Sequence, residues 1–247
     1  MNFGEKGIRD NIKSVGIIGG LGAESTAEFY LKIVFGCQKA NLKSRPQIVI
    51  SNVPLPLEVE RDFIEKNEGI ERYIPFLTAE AKRLEKSGVN FLVVPCNSVH
   101  VFIEEIRNSV NIPVLSIIEE TAKYIKKNKF EKVGIVSTSV TVKEHIYEDI
   151  FKKESISFVV PNELQLAELN KIIHNIVNGI HLNKDREMMM FVIKDLKEQG
   201  ADAISLACTD LQMLLPSENE ILVYDEFVIF DTMKVLANAT VSEIINK

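Results

Sequence analysis

The chain has 247 residues, 46% of them hydrophobic and 26% charged, a globular profile with core enough to stand without disulfides or metal staples. Its formal net charge of −6 carries no Lys/Arg-rich run, which argues against a nucleic-acid partner, and its longest apolar runs are strand-length, far short of a membrane span. Three widely spaced cysteines with no Cys-x-x-Cys pair argue against a disulfide framework or a zinc site and for a reducing, cytoplasmic setting.

Residues 1–14 are polar and mixed in charge, without the apolar core of a leader, and are read as a short extension. The first strand is expected near 15–20, in Val15-Gly16-Ile17-Ile18-Gly19-Gly20, and a helix near 24–40 follows. Gly16, Gly19, Gly20 and Gly22 are out of register with a dinucleotide fingerprint, and Asn52 stands where its acidic residue belongs, so a nicotinamide site is rejected. A strand near 47–52 leads into residues 53–66, a loop that is a candidate to close over a cleft. A helix near 68–87 stops at Gly88, the usual C-cap before a strand. The strand near 91–95 runs into Cys96, followed by a helix near 99–109, a strand near 112–116 and a helix near 117–127. Strands near 132–137, 156–160, 203–207 and 221–224 then alternate with helices near 140–153, 163–178 and 184–199, and a last helix is expected over 227–245.

The second series repeats the first. Val15-Gly16-Ile17-Ile18-Gly19-Gly20 reappears as Val133-Gly134-Ile135-Val136-Ser137-Thr138. Phe91-Leu92-Val93-Val94-Pro95-Cys96 reappears as Ala203-Ile204-Ser205-Leu206-Ala207-Cys208. Alternating strands and helices predict parallel sheets covered on both faces. The expected fold is therefore α/β, with two similar parallel-sheet three-layer domains related by a pseudo-two-fold and an active site in the cleft between them. The first domain is expected to span 1–114 and the second 115–225, with the last helix, about 226–247, packing back on the first. Ligands of such sheets bind beyond the carboxyl ends of the strands, where both repeat cysteines fall.

Cys37 lies near a helix end with no polar constellation and is read as a small core hydrophobe. Cys96 and Cys208 differ from it. They occupy equivalent repeat positions, each ends an apolar strand, and each precedes hydrogen-bonding side chains: Asn97 and Ser98 after one, Thr209 after the other. A helix starting after each cysteine would aim N–H groups at a bound anion and lower the thiol pKa. Two identical groups from two similar halves suit racemisation, in which one group removes the α-proton from one face and the other returns a proton on the opposite face. Asn97, Ser98, Thr138 and Thr209 are placed to hydrogen-bond the carboxylate on which negative charge builds up. No pyridoxal-phosphate signature and no metal site is recognisable. His100, one helical turn after Cys96, is read as structural before catalytic, while His145, His174 and His181 have no identifiable partners, and Met188-Met189-Met190-Phe191 reads as helix packing.

These motifs resemble the aspartate/glutamate racemase family, in particular its aspartate-racemase branch. The resemblance rests on Gly16-Ile17-Ile18-Gly19-Gly20-Leu21-Gly22 with Glu24-Ser25-Thr26, on Pro95-Cys96-Asn97-Ser98-Val99-His100, and on Ala207-Cys208-Thr209-Asp210-Leu211, in that order. It implies a two-domain enzyme without a cofactor, often a homodimer, that interconverts L- and D-aspartate, or glutamate, using Cys96 and Cys208 as acid and base. Asn97, Ser98 and Thr209 match carboxylate-binding positions, and Thr138 matches a further substrate-binding one. Ser98, Ala207 and Asp210 depart from the family's usual Thr, Gly and Glu. An acidic side chain calls for a cation. The candidates are Arg61 and Lys171, both read first as ordinary surface charge. A decarboxylase or cis–trans isomerase, needing one cysteine, and a non-catalytic amino-acid binding protein are the rival readings.

Overall fold

In a computed structural model, the protein is described over residues 12–246 apart from 41, 43, 67, 216–220 and 225–226; most of the N-terminal extension read at 1–14 lies outside the described residues. The first half runs β1 (Val15–Gly19), α1 (Ala23–Lys39), β2 (Ile48–Asn52), α2 (Leu57–Arg61), a π-helical turn (Asp62–Lys66), a 3₁₀ turn (Ile70–Tyr73), α3 (Ile74–Lys86) and β3 (Phe91–Val93). A second 3₁₀ turn (Ser98–Phe102), α4 (Ile103–Ser109), β4 (Val114–Leu115) and α5 (Ile117–Asn128) follow. The second half runs β5 (Lys132–Val136), α6 (Ser139–Lys143), α7 (Glu148–Lys153), β6 (Ser157–Val159), α8 (Glu163–Val177), α9 (Asn183–Glu198) and β7 (Ala203–Leu206). It closes with a 3₁₀ turn (Leu211–Leu214), β8 (Ile221–Tyr224), β9 (Phe227–Asp231) and α10 (Thr232–Ile245).

The two sheets have one winding. Their orders are β2-β1-β3-β4 and β6-β5-β7-β9-β8, so β1 and β3 correspond to β5 and β7, and every pairing except β8 with β9 is parallel. Val15 and Ile17 of β1 and Val133 and Ile135 of β5 point into one shared core with α1, α5 and α10. Ile18 and Leu92 face a second core, under α3 and α4, while Val136, Ile204 and Leu206 face a third, under α8 and α9. Strands buried on both faces explain the unbroken apolar runs of the sequence.

Four local expectations change. The last helix begins at Thr232, because Phe227–Asp231 is the strand beside β7. The strand expected at 221–224 exists, but as the antiparallel edge partner of β9. Phe227-Val228-Ile229-Phe230 is aromatic and β-branched, which suits a strand, and Asp231 starts the helix by accepting the Met233 N–H at 2.8 Å. The helix expected over 140–153 is two helices parted near His145, whose φ of 53° is left-handed. The loop expected over 53–66 contains α2 and the π-helical turn.

Candidate active site

The sheet order reverses between β1 and β3, and again between β5 and β7, which in open α/β sheets opens a crevice at the strand tips. The two crevices face one cavity of about 40 Å³. Cys96, Asn97 and Ser98 reach it after β3, Thr138 after β5, and Cys208 and Thr209 after β7, so the six residues singled out in the sequence line one space. Cys37 lies 1% exposed in the shared core instead. Leu21 and Gly22 from the turn after β1 add to the lining, as do Asp210, Glu60, Phe63, Ile64 and Tyr73.

Both thiols are held neutral in the cavity. Burial pushes Cys96 up to about 12 and Cys208 well above its ordinary value. The carboxylate of Asp210 raises both further, and Glu60 adds to the effect on Cys96. The N–H groups expected to lower them are present: those of Ser98 and Val99 on Cys96, and of Asp210 and Leu211 on Cys208. They come from 3₁₀ turns rather than α-helices and are outweighed by desolvation.

The polar residues beside the thiols are fixed across the cleft. The hydroxyls of Ser98 and Thr138 lie 2.8 Å apart, and that of Thr141 is 3.3 and 3.1 Å from them. Thr138 also caps α6, accepting the Thr141 N–H at 3.2 Å. Asn97 accepts the Tyr147 hydroxyl at 2.5 Å and donates to Thr232 at 3.1 Å, leaving one amide hydrogen free for a ligand. Thr232 donates to the Leu206 carbonyl at 2.9 Å, tying α10 to the end of β7.

His100 bridges two backbones. Its Nε2 accepts the Ile117 N–H at 3.1 Å, so Nδ1 carries the hydrogen and donates to the Cys96 carbonyl at 2.7 Å. Burial lowers its pKa to about 4. This agrees with the structural reading of that histidine.

Two acidic residues complete the site, and the sequence motifs pointed to neither role. Asp210 is 6% exposed and its carboxylate reaches the opposite half, where it lies near the Ser25 hydroxyl, and it stands 3.9 Å from the Cys208 thiol. A Cβ on Gly22, whose φ is +107°, would stand 2.6 Å from Asp210 Oδ1, so only glycine admits this approach. Burial raises Asp210 to about 6. Glu60, half-buried in α2, is also raised by burial, and the imidazole of His174 on α8 works in the opposite direction. The cations named from sequence lie elsewhere: Arg61 is 56% exposed beside Asp62, and Lys171, 70% exposed, donates to Glu168 at 2.5 Å. His145 pairs with Glu148 and His181 with Glu24 at the surface. Met189 and Met190 pack in the core under α9, whereas Phe191 points outward. Among the described residues, no cluster of His, Cys, Asp or Glu is arranged for a metal ion, and no helix is long and apolar enough to cross a membrane.

Residues 18–240 match the Asp/Glu/Hydantoin racemase family. The chain is 32% identical over 232 residues to the broad specificity amino-acid racemase RacX of Bacillus subtilis (strain 168), covering 92% of this chain and 96% of that one. The crystal structure of an aspartate racemase homologue from Pyrococcus horikoshii OT3 superposes with a TM-score of 0.73 at 25% identity, covering 96% of this chain and all of the other (100%). The fold is also that of the Picrophilus torridus aspartate racemase, with a TM-score of 0.72 at 24% identity and 94% of each chain covered.

Proposed function

As the chain belongs to the Asp/Glu/hydantoin racemase family and its relatives include a named amino-acid racemase, we propose that it racemises a small amino acid by two-base proton transfer between Cys96 and Cys208, without a cofactor. One observation carries this reading: equivalent cysteines, one from each sheet, line the same cavity. One thiolate removes the α-proton, the S–H so formed stays on that side, and the other thiol donates its proton to the opposite face of the carbon. The cysteines have then exchanged roles, ready for the mirror-image substrate.

The developing charge falls on the substrate carboxylate, which becomes enediolate-like. Fixed donors contribute most to such a step because they need no reorganisation. Asn97, Ser98, Thr138 and Thr209 fill this role, the first three held in position by hydrogen bonds to Tyr147, Thr232 and Thr141. The α-ammonium suits Asp210, which lies beside the Cys208 thiol. A positive charge there offsets the field that keeps both thiols protonated, so substrate binding itself favours the thiolate. A decarboxylase or a cis–trans isomerase needs one cysteine, and a binding protein needs neither. The paired thiols therefore favour racemisation.

Cys96→Ala and Cys208→Ala should each lower racemisation by at least about a hundredfold, the scale of losing one acid/base group, with the circular dichroism of the folded chain unchanged. The assay is α-proton exchange followed by NMR in deuterated buffer, starting from each enantiomer. Near-normal turnover in both directions by either variant would contradict the two-thiol mechanism. Aspartate and glutamate, the substrates implied by the sequence resemblance, belong in that assay with amino acids of other charge.

A further inference from the structure

Resting on the racemase reading above, we propose that the side chain of the preferred substrate is cationic, as in a diamino or guanidino acid, and that Glu60 is the residue that selects it. The existence of the site does not depend on its carboxylates; the cavity and its two cysteines define it. The carboxylates set the sign of what it accepts.

Every ionisable group that lines the cavity is an acid: Glu60, Tyr73, Cys96, Cys208 and Asp210. Among the described residues, no lysine, arginine or histidine lines it. Lys171 opens instead onto a separate groove with Lys143 and Lys184. A bound amino acid brings one carboxylate and one ammonium at Cα. The carboxylate is served by the neutral donors Asn97, Ser98, Thr138 and Thr209, and the ammonium by Asp210. Glu60 remains. It enters from α2 with the apolar walls of Phe63 and Ile64 beside it; among the described residues its carboxylate has no side-chain hydrogen bond, and the His174 imidazole that acts on it from α8 is outside the lining.

An aliphatic stem with a positive tip matches that wall. The methylenes lie against Phe63 and Ile64, and the tip meets Glu60. A substrate with a second carboxylate would set two like charges together in a partly desolvated space with no cation between them. At 4–6 Å that is worth about a hundredfold or more in binding. The same arithmetic favours the cation. Charge on both Glu60 and Asp210 raises the Cys96 thiol, so a substrate with two ammonium groups relieves both effects.

The test uses the full chain and four probes at equal concentration: L-lysine, L-norleucine, L-glutamate and L-aspartate. Norleucine has the stem of lysine without its ammonium. We expect kcat/KM for α-proton exchange to be about a hundredfold higher for lysine than for glutamate or aspartate, and higher than for norleucine. In Glu60→Gln the lysine-to-norleucine ratio should fall by about a hundredfold, whereas a merely structural loss would lower both substrates alike and leave the ratio unchanged. Glutamate, aspartate or norleucine exchanging as fast as lysine would overturn the proposal while leaving the racemase reading intact. An unchanged ratio in Glu60→Gln would overturn the role of Glu60. Exchange with none of the four would remove the racemase reading, and this proposal with it. The wild-type ranking needs no variant, so it decides the question even if Glu60→Gln fails to fold.

Discussion

A neutral imidazole is what the surroundings of His100 demand. It is buried, it accepts at one nitrogen and donates at the other, and burial lowers its pKa from 6.5 to about 4. Between those values the unfolded chain binds a proton that the folded chain refuses, so stability is lost as pH falls through that window, by roughly 3 kcal/mol in all. Asp210 and Asp231 act the other way. Each is raised by burial from 3.8 to about 6, so the folded state binds protons first and gains stability as pH falls below 6. The His100 contribution is therefore isolated as a difference. Urea titrations of the wild type and His100→Asn should show the stability of the wild type falling relative to the variant by roughly 3 kcal/mol between pH 7 and 4. Parallel curves would mean that His100 takes up a proton without penalty. At this scale the sequence was readable wherever chemistry and repeat coincided, as at Cys96 and Cys208. Glu60 was not readable as a site residue, and Asp210 was readable only as part of the second cysteine motif, with no role of its own. An acidic residue on a surface-like helix, or two positions after a cysteine, shows its role only when folding brings it to the cavity.

The elements repeat for a reason visible at Gly16 and Gly134. Each follows a valine in the leading strand of its half, Gly16 in β1 and Gly134 in β5, and lies opposite Leu92 in β3 and Ile204 in β7 respectively. A Cβ at Gly16 would stand 2.7 Å from Leu92 Cδ2 and 3.2 Å from the Cβ of Leu84 on α3. At Gly134 it would stand 2.6 Å from Ile204 Cδ1 and 3.1 Å from the Cβ of Leu196 on α9. The glycine lets a helix settle onto the strand in both halves, and neither has the positive φ that would require glycine for backbone reasons. Gly16→Ala and Gly134→Ala should each destabilise by about 1–3 kcal/mol, the cost of overpacking a core, as read from denaturant midpoints. A neutral or stabilising result would show that the helix yields without strain. This Val-Gly-Ile pattern is why the halves could be paired from sequence. The strand Phe227–Asp231 escaped because a short apolar run ahead of a helical one has no period of its own; its pairing with β7, distant in sequence, decides its form.

The two sheets face each other across a seam closed by side chains rather than by chain connections. Ser98 meets Thr138, Asn97 meets Tyr147 and Thr232, and Asp210 meets the Gly22 turn and Ser25. Such a seam holds the thiols in register, but it leaves a cavity of only about 40 Å³, room for about three waters and too little for an amino acid. Something in the lining must therefore move on binding. Hydroxyl pairs at the strand tips are anchored to both sheets and are poor candidates. The segment Leu57–Ile64 is a better one. Its side chains Glu60, Phe63 and Ile64 form one wall, and it is built from a five-residue α-helix running into a π-helical turn, outside both sheets. Arg72 bonds Glu58 at 3.1 Å and Asp62 at 3.3 Å, but these are exposed pairs that contribute little to holding it. Val59 and Phe63 also anchor it in the core under α3, yet a short helical segment outside the sheets opens at lower free-energy cost than central strands, which open only with the whole fold. Hydrogen exchange should thus be faster over Leu57–Ile64 than over β1, β3, β5 and β7 in the free protein. A saturating amino acid that the protein racemises should slow it there by about tenfold or more, with the four strands unchanged. Protection confined to the strand tips, with Leu57–Ile64 already as slow as the sheets, would instead place the opening in the seam itself, with the two halves swinging apart to admit the substrate.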